Sequence, residues 1–125
     1  MTKINDLYHC KKCHNLMQIT HAGGGQPVCC GEAMTLLVAN TTEASNEKHI
    51  PVIIEEGDCV TVKVGSDEHP MTDAHYIAFI EVVTEACVCR ALLKPGDTPT
   101  AQFCVPKADI VEVRAFCNLH LLWKK

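Results

Sequence analysis

The sequence predicts an all-β fold in two parts: a small metal-stabilised module, residues 1–37, and an antiparallel β-sandwich, residues 38–125. Three observations predict this division. From Ile50 onward, short apolar segments alternate with turn sequences, and none shows a sustained period of 3.6 residues. The first 37 residues are rich in cysteine and too few to fold on an apolar core alone. A polar run at residues 40–47 separates the two parts and is predicted to be a linker or loop.

The predicted strands of the second part differ in pattern. Val60, Val62 and Val64 alternate with polar residues, which is the period of a half-buried strand. Residues 76–83 are apolar on both faces, as in a central strand of a sandwich. Further strands are predicted at residues 86–93, 101–105 and 110–116. Several short strands at this spacing are typical of an antiparallel β-sandwich.

Composition narrows the class of protein. The formal net charge of −4 gives no general electrostatic reason to bind nucleic acid or an anionic membrane. The start, MTKINDLYHC, lacks a signal-peptide apolar region, and no stretch approaches the length of a membrane span, so we expect a cytoplasmic protein. Nine cysteines and seven histidines stand out. An odd cysteine count without a secretion signal favours metal ligation by reduced thiolates over a disulfide framework.

Four of the cysteines form a first candidate metal site. Cys10 and Cys13 make a C-x2-C pair, and Cys29 and Cys30 follow after a 15-residue excursion. Four thiolates at this spacing can surround iron or zinc tetrahedrally. Because adjacent cysteines start in divergent directions, they can share one ion only in a distorted geometry. From spacing alone, a structural zinc ribbon stays open.

A second candidate site involves histidine. Four histidines lie at predicted strand ends or loops, and one of them belongs to a C-x2-H pair with Cys117: His49, His69, His75 and His120. Imidazole and thiolate together suit several transition metals. Spacing alone leaves a generic histidine–cysteine zinc site open.

The other cysteines and histidines are predicted to have structural roles. His9, His14 and His21 lie near the four-cysteine site, where the thiolates already complete a ligand set, and are expected at the surface. The remaining thiols, which sit in apolar strands and are expected to be core or interface groups, with redox sensing as an alternative, are Cys59, Cys87, Cys89 and Cys104.

The amino-acid sequences around both candidate sites resemble those of one family. The first part is similar to a desulforedoxin module, through Tyr8, Cys10, Cys13, Gly24, Val28-Cys29-Cys30-Gly31 and Met34. The second part resembles a superoxide reductase domain, through Glu47-Lys48-His49-Ile50-Pro51-Val52, His69-Pro70-Met71, His75-Tyr76, Leu93-Lys94-Pro95-Gly96-Asp97 and Cys117-Asn118-Leu119-His120. Together they cover essentially the whole chain and resemble the desulfoferrodoxin family.

This resemblance implies an immunoglobulin-like sandwich and two non-haem irons per chain. One iron would be held by the four cysteines, and the other by four equatorial histidines with Cys117 axial. The implied reaction is the reduction of superoxide to hydrogen peroxide, with electrons from a rubredoxin-like donor. We also expect a homodimer, because so short a metal module has little core of its own.

The resemblance also assigns roles to two residues beside the histidine-held iron. The chain departs from the family's usual sequence at two positions. Lys48 would steer superoxide and hydrogen-bond the peroxide product, and Glu47 would occupy the sixth iron position in the oxidised resting state. His14 and Leu121 stand where the family usually has glycine. A residue tolerant of positive φ is expected after Cys13, and histidine tolerates it only moderately.

Other classes of function fit the sequence less well. The main alternative is a non-enzymatic iron or zinc protein, either an electron carrier or a structural module. A carrier would leave the histidine ligands unexplained, and a nucleic-acid-binding zinc ribbon would need a basic face. Superoxide dismutation would need a metal that both oxidises and reduces superoxide, whereas a thiolate-ligated site supplied with external electrons favours reduction.

Overall fold

Strands make up almost all the regular structure of this computed structural model, which describes residues 1–42 and 48–125. Within those ranges the helical structure is one 3-10 turn, Lys107–Asp109. In the described residues, no helix is long and apolar enough to cross a membrane. The predicted all-β fold is confirmed. The chain divides into two units, Met1–Val38 and Ala39–Lys125.

The first unit contains five short strands. They are β1 (Leu7–His9), β2 (Leu16–Gln18), β3 (Val28–Cys29), β4 (Glu32–Ala33) and β5 (Thr35–Leu36). β1 is the central strand of an antiparallel sheet with the order β2-β1-β5, and β3 and β4 form a hairpin. The buried cluster of this unit comprises Tyr8, Cys10 and Met34. A core of this size contributes little stability, so a bound metal fits the need that the sequence predicted.

His9 corrects one expectation. It was predicted to lie at the surface, but only 9% of it is exposed. It belongs to β1, whose central position in the sheet buries all three of its residues. His14, which is exposed, stacks against it with ring centroids 5.7 Å apart. Burial, followed by the charges of His14 and Lys11, lowers the pKa of His9.

The second unit is a two-layer antiparallel sandwich. Its strands are β6 (Pro51–Glu56), β7 (Cys59–Val64), β8 (Ile77–Thr84), β9 (Val88–Leu92), β10 (Thr100–Phe103), β11 (Ile110–Cys117) and β12 (Leu121–Lys124). One sheet has the order β10-β7-β6 and the other β12-β11-β8-β9. The predicted sandwich is therefore confirmed, and its predicted strands lie within two residues of those observed.

The core lies between the two sheets. Val60, Val62 and Val64 are fully buried, as the alternation in β7 predicts. They pack with Ile80 and Val82 of the facing sheet in one cluster. β8 is buried on both faces, as its continuous apolar sequence predicts.

β12 was not predicted. Its pairing with Asn40 also makes the linker shorter than predicted. Asn40, which we assigned to the linker, forms a parallel bridge with Trp123. Its N–H donates to the Leu122 carbonyl at 2.9 Å, and its carbonyl accepts from the Lys124 N–H at 3.0 Å. The pairing depends on a segment about eighty residues away, so no local pattern indicates it. Residues 43–47 of the predicted linker lie outside the described residues.

The strand directions bring five candidate ligands to one end of the sandwich. His49 precedes β6 and His75 precedes β8, whereas His69 follows β7. Cys117 is the last residue of β11, and His120 immediately precedes β12. Because neighbouring strands are antiparallel, the starts of β6 and β8 meet the ends of β7 and β11.

Candidate metal centres

Four sulfur atoms converge in the first unit. The Sγ atoms of Cys10, Cys13, Cys29 and Cys30 all lie within 4.8 Å of one another. Cys13 Sγ is 3.6 Å from Cys29 Sγ, which is 4.0 Å from Cys30 Sγ. A tetrahedral ion with metal–sulfur bonds of about 2.3 Å separates its sulfurs by about 3.8 Å. The spacing therefore fits a four-thiolate ion.

Left-handed backbone conformations shape this cluster. His14 has a φ of 68°, and its N–H donates to the Cys10 carbonyl at 2.9 Å, which closes the C-x2-C turn. The positive φ expected after Cys13 is thus observed, on a histidine. Cys30 has a φ of 52°. That turn allows the divergent side chains of Cys29 and Cys30 to approach the same point.

The crowded sulfurs favour a cation. Hydrogen bonding from the Cys13 backbone N–H, which outweighs burial, lowers the pKa of Cys10 to about 7. Hydrogen bonding with the Cys13 and Cys10 side chains raises the pKa of Cys30 to about 12. One thiolate therefore forms easily while another is strongly opposed by its neighbours. A bound cation would hold all four deprotonated, because metal binding displaces thiol protons.

Five groups converge in the second unit. Ligand atoms of His49, His69, His75 and Cys117 all lie within 4.8 Å of one another. His120 is part of the same cluster, because its Nδ1 is 3.0 Å from His49 Nε2 and 3.9 Å from Cys117 Sγ. The structure thus brings together all five residues that the sequence nominated for this site.

The four imidazoles form a nearly square array. Following the order His49, His69, His75, His120, successive ring centroids are 4.6, 4.7, 5.0 and 4.8 Å apart. The diagonal from His49 to His75 is longer, at 6.2 Å. Successive rings are inclined by 66° to 85°. Such an array can present four nitrogens around one ion in a plane.

Burial differs across the array. His49, His69 and Cys117 are at most 1% exposed, His75 is half-buried and His120 is exposed. The thiol therefore lies within the protein, while two of the imidazoles border solvent. The exposed side of the array is therefore the one formed by His75 and His120.

Neighbouring groups orient three of the imidazoles. His69 Nδ1 lies 2.7 Å from the Pro70 carbonyl oxygen, so this nitrogen carries the proton and Nε2 keeps its lone pair for an ion. Trp123 stacks on His49 with centroids 4.5 Å apart and an interplanar angle of 16°. Its Nε1–H donates to the His120 carbonyl at 3.0 Å. Trp123 therefore supports two candidate ligands at once.

Asn118 joins the loop that carries His75 to the end of β11, where Cys117 lies. Its Oδ1 accepts from the Tyr76 N–H at 2.9 Å, and its Nδ2 donates to the Ala74 carbonyl at 3.0 Å. The Cys117 sulfur accepts a hydrogen bond from the His120 N–H at 3.5 Å. Such bonds to a ligand sulfur tune the electron density that it donates.

Lys48 is half-buried and directly precedes His49. A Cβ added at Gly65, whose φ is 85°, would lie 2.6 Å from the Lys48 carbonyl oxygen and 2.9 Å from its Cβ. Glycine at position 65 therefore allows the segment that carries Lys48 and His49 to approach closely. Glu47, the other predicted catalytic residue, lies outside the described residues.

Sequence reasoning missed three supporting residues: Asn118, Trp123 and Gly65. Asn118 stands inside the C-x2-H pair, and Trp123 is the one tryptophan of the chain, so both had a local signal. Gly65 had none, because its role depends on a contact between a strand end and a distant loop.

Two protein-family models match this chain. The family model described as Desulfoferrodoxin matches residues 41–125, and the model described as Desulfoferrodoxin, N-terminal domain, matches residues 2–37. The chain belongs to the desulfoferrodoxin family.

Individual relatives match along nearly the whole chain. A desulfoferrodoxin homolog of Archaeoglobus fulgidus is 51% identical, over 99% of this chain and 98% of the relative. A desulfoferrodoxin of Nitratidesulfovibrio vulgaris is 46% identical, over 95% of this chain and 94% of the relative. The crystal structure of the superoxide reductase from Treponema pallidum aligns with a TM-score of 0.80 and 30% identity, covering 96% of both chains.

This member of the desulfoferrodoxin family has other residues at two positions where glycine is usual, and both residues adopt a left-handed backbone conformation. Leu121 has a φ of 64° and directly follows His120, and His14 has a φ of 68°. Glycine adopts such angles without steric cost, whereas a residue with a Cβ does not. Each departure therefore adds local strain beside a candidate ligand without removing one.

Proposed function

We propose that this protein is a superoxide reductase, which reduces superoxide by one electron to hydrogen peroxide. The observation that carries the proposal is the square of four imidazoles closed on its buried side by the Cys117 thiol. The residues proposed to hold an iron ion there are His49, His69, His75, His120 and Cys117. Membership of the desulfoferrodoxin family and the similarity to a superoxide reductase structure support the same activity.

Iron bound at this site would supply one-electron redox chemistry with a coordination position left over for substrate. The ligand set would suit an anionic substrate, because four neutral imidazoles and one thiolate around a ferrous ion would give one net positive charge. The buried Cys117 sulfur would donate electron density to an iron held there. Since superoxide needs one electron and two protons to become peroxide, the half-exposed side of the array also gives the protons access.

Lys48 and Glu47 have distinct proposed roles. Lys48, next to His49, provides a local positive charge on a chain whose net charge is −4, and it would steer superoxide and hydrogen-bond the product. Glu47, one residue earlier, would occupy the substrate position in the oxidised resting state.

The first unit is proposed to hold a second iron through Cys10, Cys13, Cys29 and Cys30. We propose that the two parts, residues 1–37 and 38–125, are separate domains, since no ligand is shared between the sites. The proposed electron donor is a rubredoxin-like protein and the proposed assembly is a homodimer.

A structural zinc protein is the main competing function, and the histidine array argues against it. Structural zinc sites are almost always tetrahedral with four ligands. Here five groups converge, and four of them are arranged in a square. That arrangement would suit an ion held by five protein groups instead of four.

Metal analysis, product analysis and pulse radiolysis test the proposal together. The purified protein should contain about two irons per chain, with separate visible bands for the all-thiolate and imidazole–thiolate sites. With electrons supplied, each superoxide consumed should give one hydrogen peroxide and no dioxygen. Dismutation would instead release dioxygen together with half as much peroxide. That outcome, or zinc in the histidine site of protein grown with iron, would overturn the assignment.

A further inference from the structure

Four cysteines lie outside both candidate metal groups: Cys59, Cys87, Cys89 and Cys104. Cys59 begins β7, whose other end leads to His69. Cys104 follows β10, which runs antiparallel to β7 from Thr100, opposite Lys63. Both residues therefore lie at the end of the sandwich remote from the histidines, about 20 Å along a six-residue strand.

Strand register places Cys59 opposite Cys104. The observed partners include Val60 with Phe103 and Lys63 with Thr100, so the next pair outward is Cys59 with Cys104. The Val64 N–H donates to the Pro99 carbonyl at 2.9 Å, which marks that pair as hydrogen-bonded. Counting alternate pairs from it, Cys59 and Cys104 occupy a non-hydrogen-bonded position.

A non-hydrogen-bonded pair is compatible with a disulfide. Its Cα atoms are about 4.5 Å apart, and disulfides span about 4.4–6.8 Å between Cα atoms. Val60 and Phe103 point into the core, so Cys59 and Cys104, one residue away, point to the opposite face. These thiols were expected to be core or interface groups, with redox sensing as an alternative. Cys104 is exposed and Cys59 partly exposed, so neither is a core thiol, and small oxidants have access to both.

The other two thiols are placed less favourably. Cys87 Sγ and Cys89 Sγ are 4.0 Å apart, but the two residues are two positions apart in the chain. An extended segment separates such Cα atoms by about 6.6 Å, near the upper limit for a disulfide. Cys89 also packs against the core, as we expected for these thiols.

We propose that Cys59 and Cys104 are a peroxide-responsive dithiol pair that closes to a disulfide between β7 and β10. The proposed superoxide reductase activity enters only as a source of peroxide, because any hydroperoxide would oxidise the pair. The closed form would tie the edge strand β10 covalently to β7.

The two sulfurs have different roles in the reaction. A hydrogen bond with Cys104, followed by burial and the nearby charges, raises the pKa of Cys59, so Cys59 keeps its proton. The exposed Cys104 thiol attacks hydrogen peroxide, which forms a sulfenic acid and releases water. Cys59 sulfur then attacks Cys104 sulfur, which forms the disulfide and releases water. Overall, two thiols and one hydrogen peroxide give one disulfide and two waters.

Peptide mapping can distinguish the possible pairs. Trypsin should place Cys59 in peptide 49–63, Cys87 and Cys89 in peptide 64–90, and Cys104 in peptide 91–107. The iron-loaded full chain would be treated with hydrogen peroxide, its free thiols alkylated, and its peptides analysed without reduction. We expect 49–63 linked to 91–107 as the main cross-link. A main cross-link between 64–90 and 91–107, or a disulfide within 64–90, would overturn the assignment.

Variants test the order of attack. Cys59→Ser should lose the cross-link and accumulate a sulfenic acid at Cys104, trapped by dimedone, whereas Cys104→Ser should lose both. A Cys87→Ser, Cys89→Ser double variant is the matched control and should keep the cross-link. A dimedone adduct located mainly at Cys59 in the Cys104→Ser variant would contradict the roles given to the two sulfurs.

A further experiment distinguishes failure of the dithiol proposal from failure of the proposed superoxide reductase activity. If superoxide is generated in place of added peroxide and electrons are supplied, the disulfide should form in the wild type, and catalase should suppress it. Disulfide formation with added peroxide alone, together with no superoxide consumption, would refute the reductase activity and leave the dithiol pair standing. No linked peptide with either oxidant would refute the pair itself.

Discussion

The backbone of His14 forms a turn that the cysteine cluster needs, but its Cβ makes the left-handed conformation of that turn unfavourable. Its backbone closes the turn around Cys10 with a φ of 68°, while its side chain is exposed. A residue with a Cβ in this region costs about 1–2 kcal/mol relative to the right-handed region. The turn is required by the cysteine cluster, so the strain persists for as long as the cluster does.

Replacing His14 with glycine should therefore stabilise the first unit. We expect His14→Gly to raise its free energy of unfolding by about 1 kcal/mol and to slow loss of its metal to a chelator. His21→Gly is the control, because His21 is exposed without a positive φ, and it should give no stabilisation. Equal effects of the two substitutions would show that strain at position 14 is negligible.

The two metal sites share no residue, and this separation predicts independent loss. Cys13→Ser should disturb the four-cysteine iron and its visible spectrum, while superoxide reduction stays largely intact. Cys117→Ser should do the reverse. Activity lost in Cys13→Ser protein that still holds its second iron would make the first iron an obligatory electron relay.

Lys48 tests electrostatic steering at the scale of one side chain. Because the chain repels anions overall, Lys48→Ile should slow the bimolecular reaction with superoxide and flatten its dependence on ionic strength. Pulse radiolysis across a salt series measures both effects. Lys107→Ile removes the same charge from the exposed 3-10 turn, near the end of the sandwich remote from the histidines, and serves as the control. If both variants keep wild-type rates and salt slopes, Lys48 has no steering role.

At the scale of elements, an ion cluster joins three strands of the larger sheet. Glu81 of β8 lies between Arg90 of β9 and Arg114 of β11 in the strand register. Arg90 donates to its carboxylate at 2.7 and 2.9 Å, and Arg114 donates from Nε at 2.5 Å. The Glu81 side chain is fully buried, and its carboxylate pairs with both arginines.

Removing the charge of the Glu81 carboxylate should lower the stability of the fold. Breaking a buried ion pair typically costs about 3–5 kcal/mol, so we expect Glu81→Gln to lower the free energy of unfolding by about 3 kcal/mol. Glu112→Gln is the comparison, because Glu112 meets Lys124 at 3.8 Å on a more exposed face, and it should change stability by about 0.5 kcal/mol or less. Urea titration of both variants measures the difference. Similar small losses would mean that water compensates the two arginines.

At the scale of the whole molecule, the smaller unit limits how the protein can assemble. Its buried cluster of Tyr8, Cys10 and Met34 is too small to stabilise a separate domain by burial alone. We predict that metal and a second copy of the chain together provide the remaining stability. Sedimentation of the metal-loaded protein at micromolar concentration should give a dimer, and a monomer under those conditions would refute the prediction.

The sequence by itself determined the types of the candidate ligands, their order along the chain and several of the strands beside them. These features are local: C-x2-C and C-x2-H pairs, and the alternation of Val60, Val62 and Val64, depend on neighbours a few residues apart. The left-handed turn at His14 was predictable for the same reason. The residues of the motifs then identified the family, which composition alone could not have done.

Tertiary structure decided the features that depend on distant contacts. The order of imidazoles around the square, the stacking of Trp123 on His49 and the close approach at Gly65 join segments far apart in the chain. The burial of His9 depends on strands that flank β1 on both sides, and the Cys59–Cys104 pairing depends on the register of β7 with β10. Each is set by how the strands pair and pack, and a pattern read along one segment carries no information about its partner.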